Sequence, residues 1–108
     1  MNAVGMPDGA ANLAGLVAFQ PGSAVSRTLV KKDKGTVTLF AFDAGQGLSE
    51  HTAPFDALVH VLEGEAEVVL GGKAHRMAAG DALLMPANIS HALMAIRPFK
   101  MLLTMVRA

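Results

Sequence analysis

No cysteine, tryptophan or tyrosine occurs in this chain of 108 residues, and each absence closes a class of chemistry. Without cysteine there are no disulfides, no thiolate-bound zinc and no thiol nucleophile, which fits a reducing compartment. With five phenylalanines as the only large aromatics, the stacking platforms of single-stranded nucleic-acid binders have few candidates. Nine basic and nine acidic residues cancel, so no overall field draws in nucleic acid or an anionic membrane. The one basic cluster, Lys31-Lys32-Asp33-Lys34 beside Gly35, reads as a solvated hairpin loop. No apolar run approaches the roughly 18 residues of a membrane span, and the first residues lack the basic-then-apolar pattern of a secretory signal. A cytoplasmic protein is expected, with neither nucleic acid nor membrane as partner. No GxSxG, P-loop, GxGxxG or HExxH motif is present, so hydrolase and nucleotide-binding classes have no support.

What the chain has is apolar content. Hydrophobic residues make up 52%, with 11 glycines besides, against roughly 45–50% for the two together in average globular chains. At this length one domain spanning residues 1–108 is expected, and such a domain has too much surface to hide that many apolar side chains alone. A hydrophobic subunit interface, and hence a homodimer, is the expectation.

Residues 1–11 hold Gly, Pro, Asp and Asn without period and read as a flexible arm. Asn12-Leu13-Ala14-Gly15-Leu16-Val17 fits a short helix capped by Asn12 or an edge strand. Beyond Pro21-Gly22, short apolar runs alternate with Gly and Pro. Ala24–Val30, Thr36–Phe42, Leu58–Leu62, Glu65–Leu70, Lys73–Met77, Ala82–Met85, His91–Ile96 and Phe99–Val106 are strand candidates. That density of strands and turns predicts an all-β sandwich, barrel or jelly roll. A two-residue Gly71-Gly72 turn pairs Leu70 with Lys73, Val69 with Ala74 and Val68 with His75. Glu67 then faces Arg76 as an opposite-charge pair, while Ala66, Val68, His75 and Met77 share the other face. The last strand is apolar on both faces, with Leu102 and Val106 turned toward something outside the sandwich, such as a second subunit.

Two spaced motifs accompany this pattern. Gly45 or Gly47, His51, Ala53, Ala57 and Gly64 stand at the spacing G-x5-HxH-x3-E-x6-G, and Gly80, Pro86, Asn88, His91 and Ala95 at the spacing G-x5-PxG-x2-H-x3-N. Together they make residues 45–95 resemble the cupin superfamily, whose members are small double-stranded β-helix (jelly-roll) barrels of two antiparallel sheets, the RmlC-like fold. The resemblance implies a metal centre of two His, one Glu and a further His. Here only His51 and His91 occupy such positions; Ala53 stands at the second His, Ala57 at the Glu, Asn88 at the second Gly and Ala95 at the Asn. Alanine cannot ligate, and catalytic zinc generally has three protein ligands.

Replacement ligands must come from elsewhere. His60 is the first candidate for a centre with His51 and His91, although the alternation places it with Leu58 and Leu62, opposite Ala57, Val59 and Val61. His75, on the inner hairpin face, is the second. Asp56 and Glu50 are weaker ligand options, reading otherwise as a loop cap and a solvated carboxylate, and Asp81 reads as a second loop cap. A completed centre would take a divalent transition metal (Zn, Fe, Mn, Ni or Cu); without one the barrel holds no cofactor. Two functions follow, beside a third reading as a structural dimer partner with no ligand. One is a small-molecule ligand bound in an apolar cavity lined by His51, Ala53, Ala57 and His91. The other is a metal-dependent enzyme of dioxygenase, isomerase or decarboxylase type with a three-His centre.

Overall fold

Alternation of buried and outward residues carries the chain through seven strands in the computed structural model, which describes residues 5–107. They are β1 (Ala24–Lys32), β2 (Gly35–Phe42), β3 (Gly47–His51), β4 (Asp56–Leu70), β5 (Lys73–Ala78), β6 (Ala82–Met85) and β7 (His91–Val106). Ahead of them Leu13–Leu16 form one turn of 3₁₀ helix, and the Asn12 side chain accepts from the Gly15 N–H to cap it.

Two of the strands are long and serve both sheets. Asp56–Val61 of β4 pair with β6 and with the last part of β7, which itself pairs with β2 and so with β1. Glu65–Leu70 pair with β5 and with the first part of β7, which also pairs with β3. The result is a five-stranded sheet facing a four-stranded one, all antiparallel, as the jelly-roll expectation requires. Leu58–Leu62 and Glu65–Leu70, expected as separate strands, are one, and so are His91–Ile96 and Phe99–Val106. The Gly and Pro between them mark bends. Gly64 has φ +83°, and a Cβ there would lie 2.0 Å from the Pro98 carbonyl oxygen. The two bends therefore touch, and only glycine lets them. β3 escaped the sequence pattern because Gly47–His51 carries a single half-buried apolar residue, Leu48.

The core fills the space between the sheets. Phe42, Val59, Val61, Phe99 and Met101 from one sheet meet Ala66, Val68, Met77, Leu93 and Ala95 from the other. Phe42 stacks on Phe40 at 5.5 Å and on Phe99 at 4.9 Å between centroids, worth about 0.5–1.5 kcal/mol per pair beyond area burial.

A second apolar cluster lies on the outer face of the five-stranded sheet. There Val17, Leu13 and Leu16 pack with Leu29, Leu39, Ala41, Leu62 and Leu102. Two cations fasten the covering segment. Arg27 donates to the carbonyls of Gly5 and Leu16, and Lys100 donates to Ala14 O (2.7 Å), lies 5.0 Å from the Phe19 ring centroid and pairs with Glu63 at 3.0 Å. Residues 1–4 of the expected flexible arm lie outside the described part; Gly5 also donates its N–H to Thr28 O at 2.7 Å. The chain thus covers Leu102 with its own N-terminal segment, where the pattern suggested a second subunit, and leaves Val106 exposed.

The β4–β5 hairpin has the expected register from Leu70↔Lys73 to Ala66↔Met77. Its turn is Gly71-Gly72 with φ +55° and +83°, the positive values a two-residue hairpin turn needs. The charge pairing differs from expectation: Arg76 reaches Glu65 at 2.7 Å instead of Glu67 opposite it. Glu65 sits on the middle strand, and Arg97 of β7 approaches its other oxygen at 3.4 Å, so it collects a cation from each side.

The Arg76 hydrogen bond, with the charges of Arg76 and Arg97, holds the Glu65 carboxyl below its ordinary range against the opposing effect of desolvation. A carboxylate depressed on folding adds stability above its unfolded pKa, about 4.3, and loses it as pH falls through the folded value. Glu65→Gln is therefore expected to unfold at lower denaturant concentration than wild type at neutral pH. The gap should close as pH falls below about 4.3, as urea titrations across that range would measure.

Candidate functional site

His51 ends β3 and His91 opens β7, and the β3–β7 ladder sets the two residues directly opposite each other. A register irregularity between Leu48 and His51 lets the strand end in this position. The rings meet edge to face, with centroids 4.3 Å apart and planes at 70°. Their Nε2 atoms are 3.0 Å apart. His91 is buried, at 7% exposure, and His51 opens to solvent.

The other nitrogen of each ring decides the chemistry. His51 Nδ1 lies 2.6 Å from Ser49 O and His91 Nδ1 lies 3.0 Å from Ile89 O. A carbonyl oxygen offers only lone pairs, so each Nδ1 faces an acceptor and is placed to donate. The two Nε2 atoms stand at hydrogen-bond distance, where one hydrogen or a cation between them satisfies both. Ser49 and Ile89, which set this polarity, act through main-chain carbonyls two residues before each histidine, so their side chains gave the sequence no signal.

The loops leading into the two histidines are stitched together. Asp56 Oδ1 accepts from the Ala87 N–H at 2.9 Å, and Asn88 N–H donates to Ala53 O at 2.8 Å. Gly71 N–H, at the hairpin turn, donates to Ser90 O at 2.8 Å. Asp56 is a cap as expected, but for the loop of the other motif. Asn88 adopts φ +67°, which explains a glycine at that motif position; asparagine is among the few side chains that tolerate it.

The remaining candidates do not join the pair. His60 lies half-buried on the face of β4 opposite the fully buried Val59 and Val61, beside Leu102 and Ala82. It precedes Leu70, the ladder neighbour of His91, by ten residues on the same strand. The proposed His51, His60 and His91 centre is corrected on this ground. His75 faces inward opposite Val68, as expected, but stands two strands and one row from His91, roughly 12 Å by strand spacing. Glu50 is exposed, and Asp81 accepts from Ala78 N–H at 2.9 Å as a turn cap. Ala57 is buried in the main core and Ala53 half-buried in its loop.

The donor set can be tested against a metal. Two imidazole nitrogens 3.0 Å apart suit adjacent corners of a coordination shell, subtending about 95° at bonds of about 2.0–2.1 Å. The count does not suit: among the described residues no three His, Cys, Asp or Glu side chains converge on a metal position. The residues present do not make a protein-complete centre.

The cupin-domain family model matches residues 38–106. The chain belongs to the cupin family. A conserved protein of unknown function from Streptococcus pyogenes is 34% identical, with a TM-score of 0.92 over 100% of this chain and 96% of its own. A cupin superfamily protein from Desulfitobacterium hafniense is 26% identical, with a TM-score of 0.91 over 98% and 97%. A cupin 2 conserved barrel domain protein from Leptotrichia buccalis is 42% identical, with a TM-score of 0.86 over 89% of this chain and 47% of its own. No curated protein matches the chain. In this cupin the first motif keeps its glycines, the second keeps Gly80 but has Asn88 at its other glycine position, and each keeps one histidine; no helix in the described residues is long and apolar enough to cross a membrane.

Asn88→Gly is expected to leave stability nearly unchanged, whereas Asn88→Ala should cost about 1–2 kcal/mol for the left-handed backbone. Urea unfolding of the two variants beside wild type measures the difference.

Proposed function

We propose that this cupin binds a small organic molecule at the histidine pair, and that the pair is a polar anchor without a resident metal. The observation that carries the reading is the 3.0 Å approach of two Nε2 atoms whose partner nitrogens both face carbonyl oxygens. Such an arrangement accepts a hydrogen from a hydroxyl, an amine or a protonated carboxyl group. Alanine at two motif positions leaves no side chain to compete for it, and the half-buried Ala53 adds a methyl group beside it, in keeping with a ligand site of mostly apolar lining and a few placed polar groups. A buried His91 favours the ligand further, because a hydrogen bond away from water is stronger than one in it. The cytoplasmic location and the absence of an intrinsic reaction belong to the same proposal.

Saturation-transfer NMR with a panel of small alcohols, amines and carboxylic acids tests it, paired with elemental analysis of the purified protein. The expected result is binding of donor-bearing probes that weakens by about tenfold or more in His91→Ala, equivalent to about 1.4 kcal/mol, with metal well below one equivalent. A full equivalent of transition metal that His51→Ala removes would establish the metal-enzyme reading instead. A panel without any hits would end the binding proposal.

A further inference from the structure

Where β4 begins and β7 ends, Asp56 and Val106 are ladder partners, and beside them opens a hollow of about 400 Å³ lined by Pro54, Asp56, Ala87, Val106 and Arg107. Its lining holds one anion and one cation, and among the described residues the two do not form an ion pair. Opposite charges that share a hollow ordinarily close on each other unless something holds them apart. Here each is held elsewhere by a main-chain group.

Asp56 Oδ1 accepts from the Ala87 N–H at 2.9 Å, which fixes the carboxylate on the loop ahead of β7 and leaves Oδ2 as its other acceptor. The main-chain N–H of Arg107 donates to Lys34 O at 2.8 Å, its Nε donates to Asp33 O at 3.1 Å, and its guanidinium lies 5.5 Å from the Phe55 ring centroid. The β1–β2 turn and the loop ahead of β4 thus hold the guanidinium, and Nη1 and Nη2 are the remaining donors of its fork. Pro54, Ala87 and Val106 supply the apolar part of the lining.

We propose that this hollow binds a small zwitterion of the amino-acid type. Its carboxylate takes the Arg107 fork, its ammonium group takes Asp56 Oδ2, and its side chain rests on Pro54, Ala87 and Val106. A planar guanidinium holds a carboxylate through two parallel hydrogen bonds, and a carboxylate oxygen accepts from an ammonium group. An anion alone would meet Asp56 and a cation alone would meet Arg107, so the hollow disfavours either half of the ligand without the other. Because both charges are already held by main-chain bonds, little side-chain freedom is lost on binding. Both residues are exposed, so water and salt screen the two contacts and the affinity is modest. The site is separate from the histidine pair, since neither imidazole lines the hollow.

A ¹H–¹⁵N chemical-shift titration of the full chain at low ionic strength tests this with matched probes: L-valine, isobutylamine, which lacks its carboxylate, and isovalerate, which lacks its ammonium group. L-Valine is expected to saturate with a Kd of about 1 mM and to move the amide signals of Ala87 and Arg107. Each fragment should bind at least about tenfold more weakly. Asp56→Asn keeps an oxygen acceptor for the Ala87 N–H and removes the charge, and Arg107→Gln removes the fork; each is expected to weaken L-valine at least about tenfold. Asp56→Asn reports even where Arg107→Gln, which also loosens the β1–β2 turn, fails to fold. The absence of a saturable shift with L-valine, a fragment that binds as well as L-valine, or an Asp56→Asn protein that binds it as wild type does would each overturn the proposal. Shifts confined to the surroundings of His51 and His91 would overturn it too, while leaving the histidine-pair reading in place.

Discussion

The antiparallel ladder between β4 and β7 carries the rest of the molecule. Both strands run through both sheets, and they bend at the same place because Gly64 lets the backbone of β4 press against Pro98 and Phe99 of β7. Every other strand pairs directly with one of these two, except β1, which is attached through β2. The buried residues of the ladder, Val59, Val61, Phe99 and Met101 on one side of the bend and Ala66, Val68 and Leu93 on the other, form most of the core. Removing the close approach at Gly64 would separate the sheets from the packing that joins them.

The histidine pair is a consequence of that frame. β7 presents His91 at its first residue, β3 is laid against β7 and ends on His51, and the loops that follow and precede them are tied by Asp56 and Asn88. Main-chain carbonyls then fix which nitrogen of each ring holds its hydrogen. A rigid scaffold has thereby placed two hydrogen-bond acceptors within reach of a single donor, an arrangement costly to leave unanswered in a partly buried setting.

Much of this was legible in the residues, and the parts that were not share a cause. The hairpin register followed from Gly71-Gly72 and the alternation of Ala66, Val68, His75 and Met77, because turn type and burial both act locally. The family resemblance rested on glycines whose backbone demands are equally local, and Asn88 obeys the demand without being glycine. The meeting of His51 and His91 could be expected from the motifs, but its polarity could not, since Ser49 and Ile89 contribute only carbonyl oxygens. The bends at Gly64 and Pro98 looked like strand ends because a sequence shows each alone and the structure brings them together. Arg76 took Glu65 over Glu67, its ladder partner, a choice that the pairing register does not set. His60 kept the outward direction that alternation gave it, and with that the three-histidine centre was lost.

The account stands on the claim that both imidazoles keep their hydrogen on Nδ1 and offer Nε2 to a common partner. Long-range ¹H–¹⁵N correlation of the histidine rings in labelled protein measures this directly. The account predicts Nδ1-protonated patterns for His51 and His91 and a changed Nε2 environment for both when a donor-bearing ligand is added. An Nε2-protonated neutral ring at either residue, or a response confined to one of them, would contradict it.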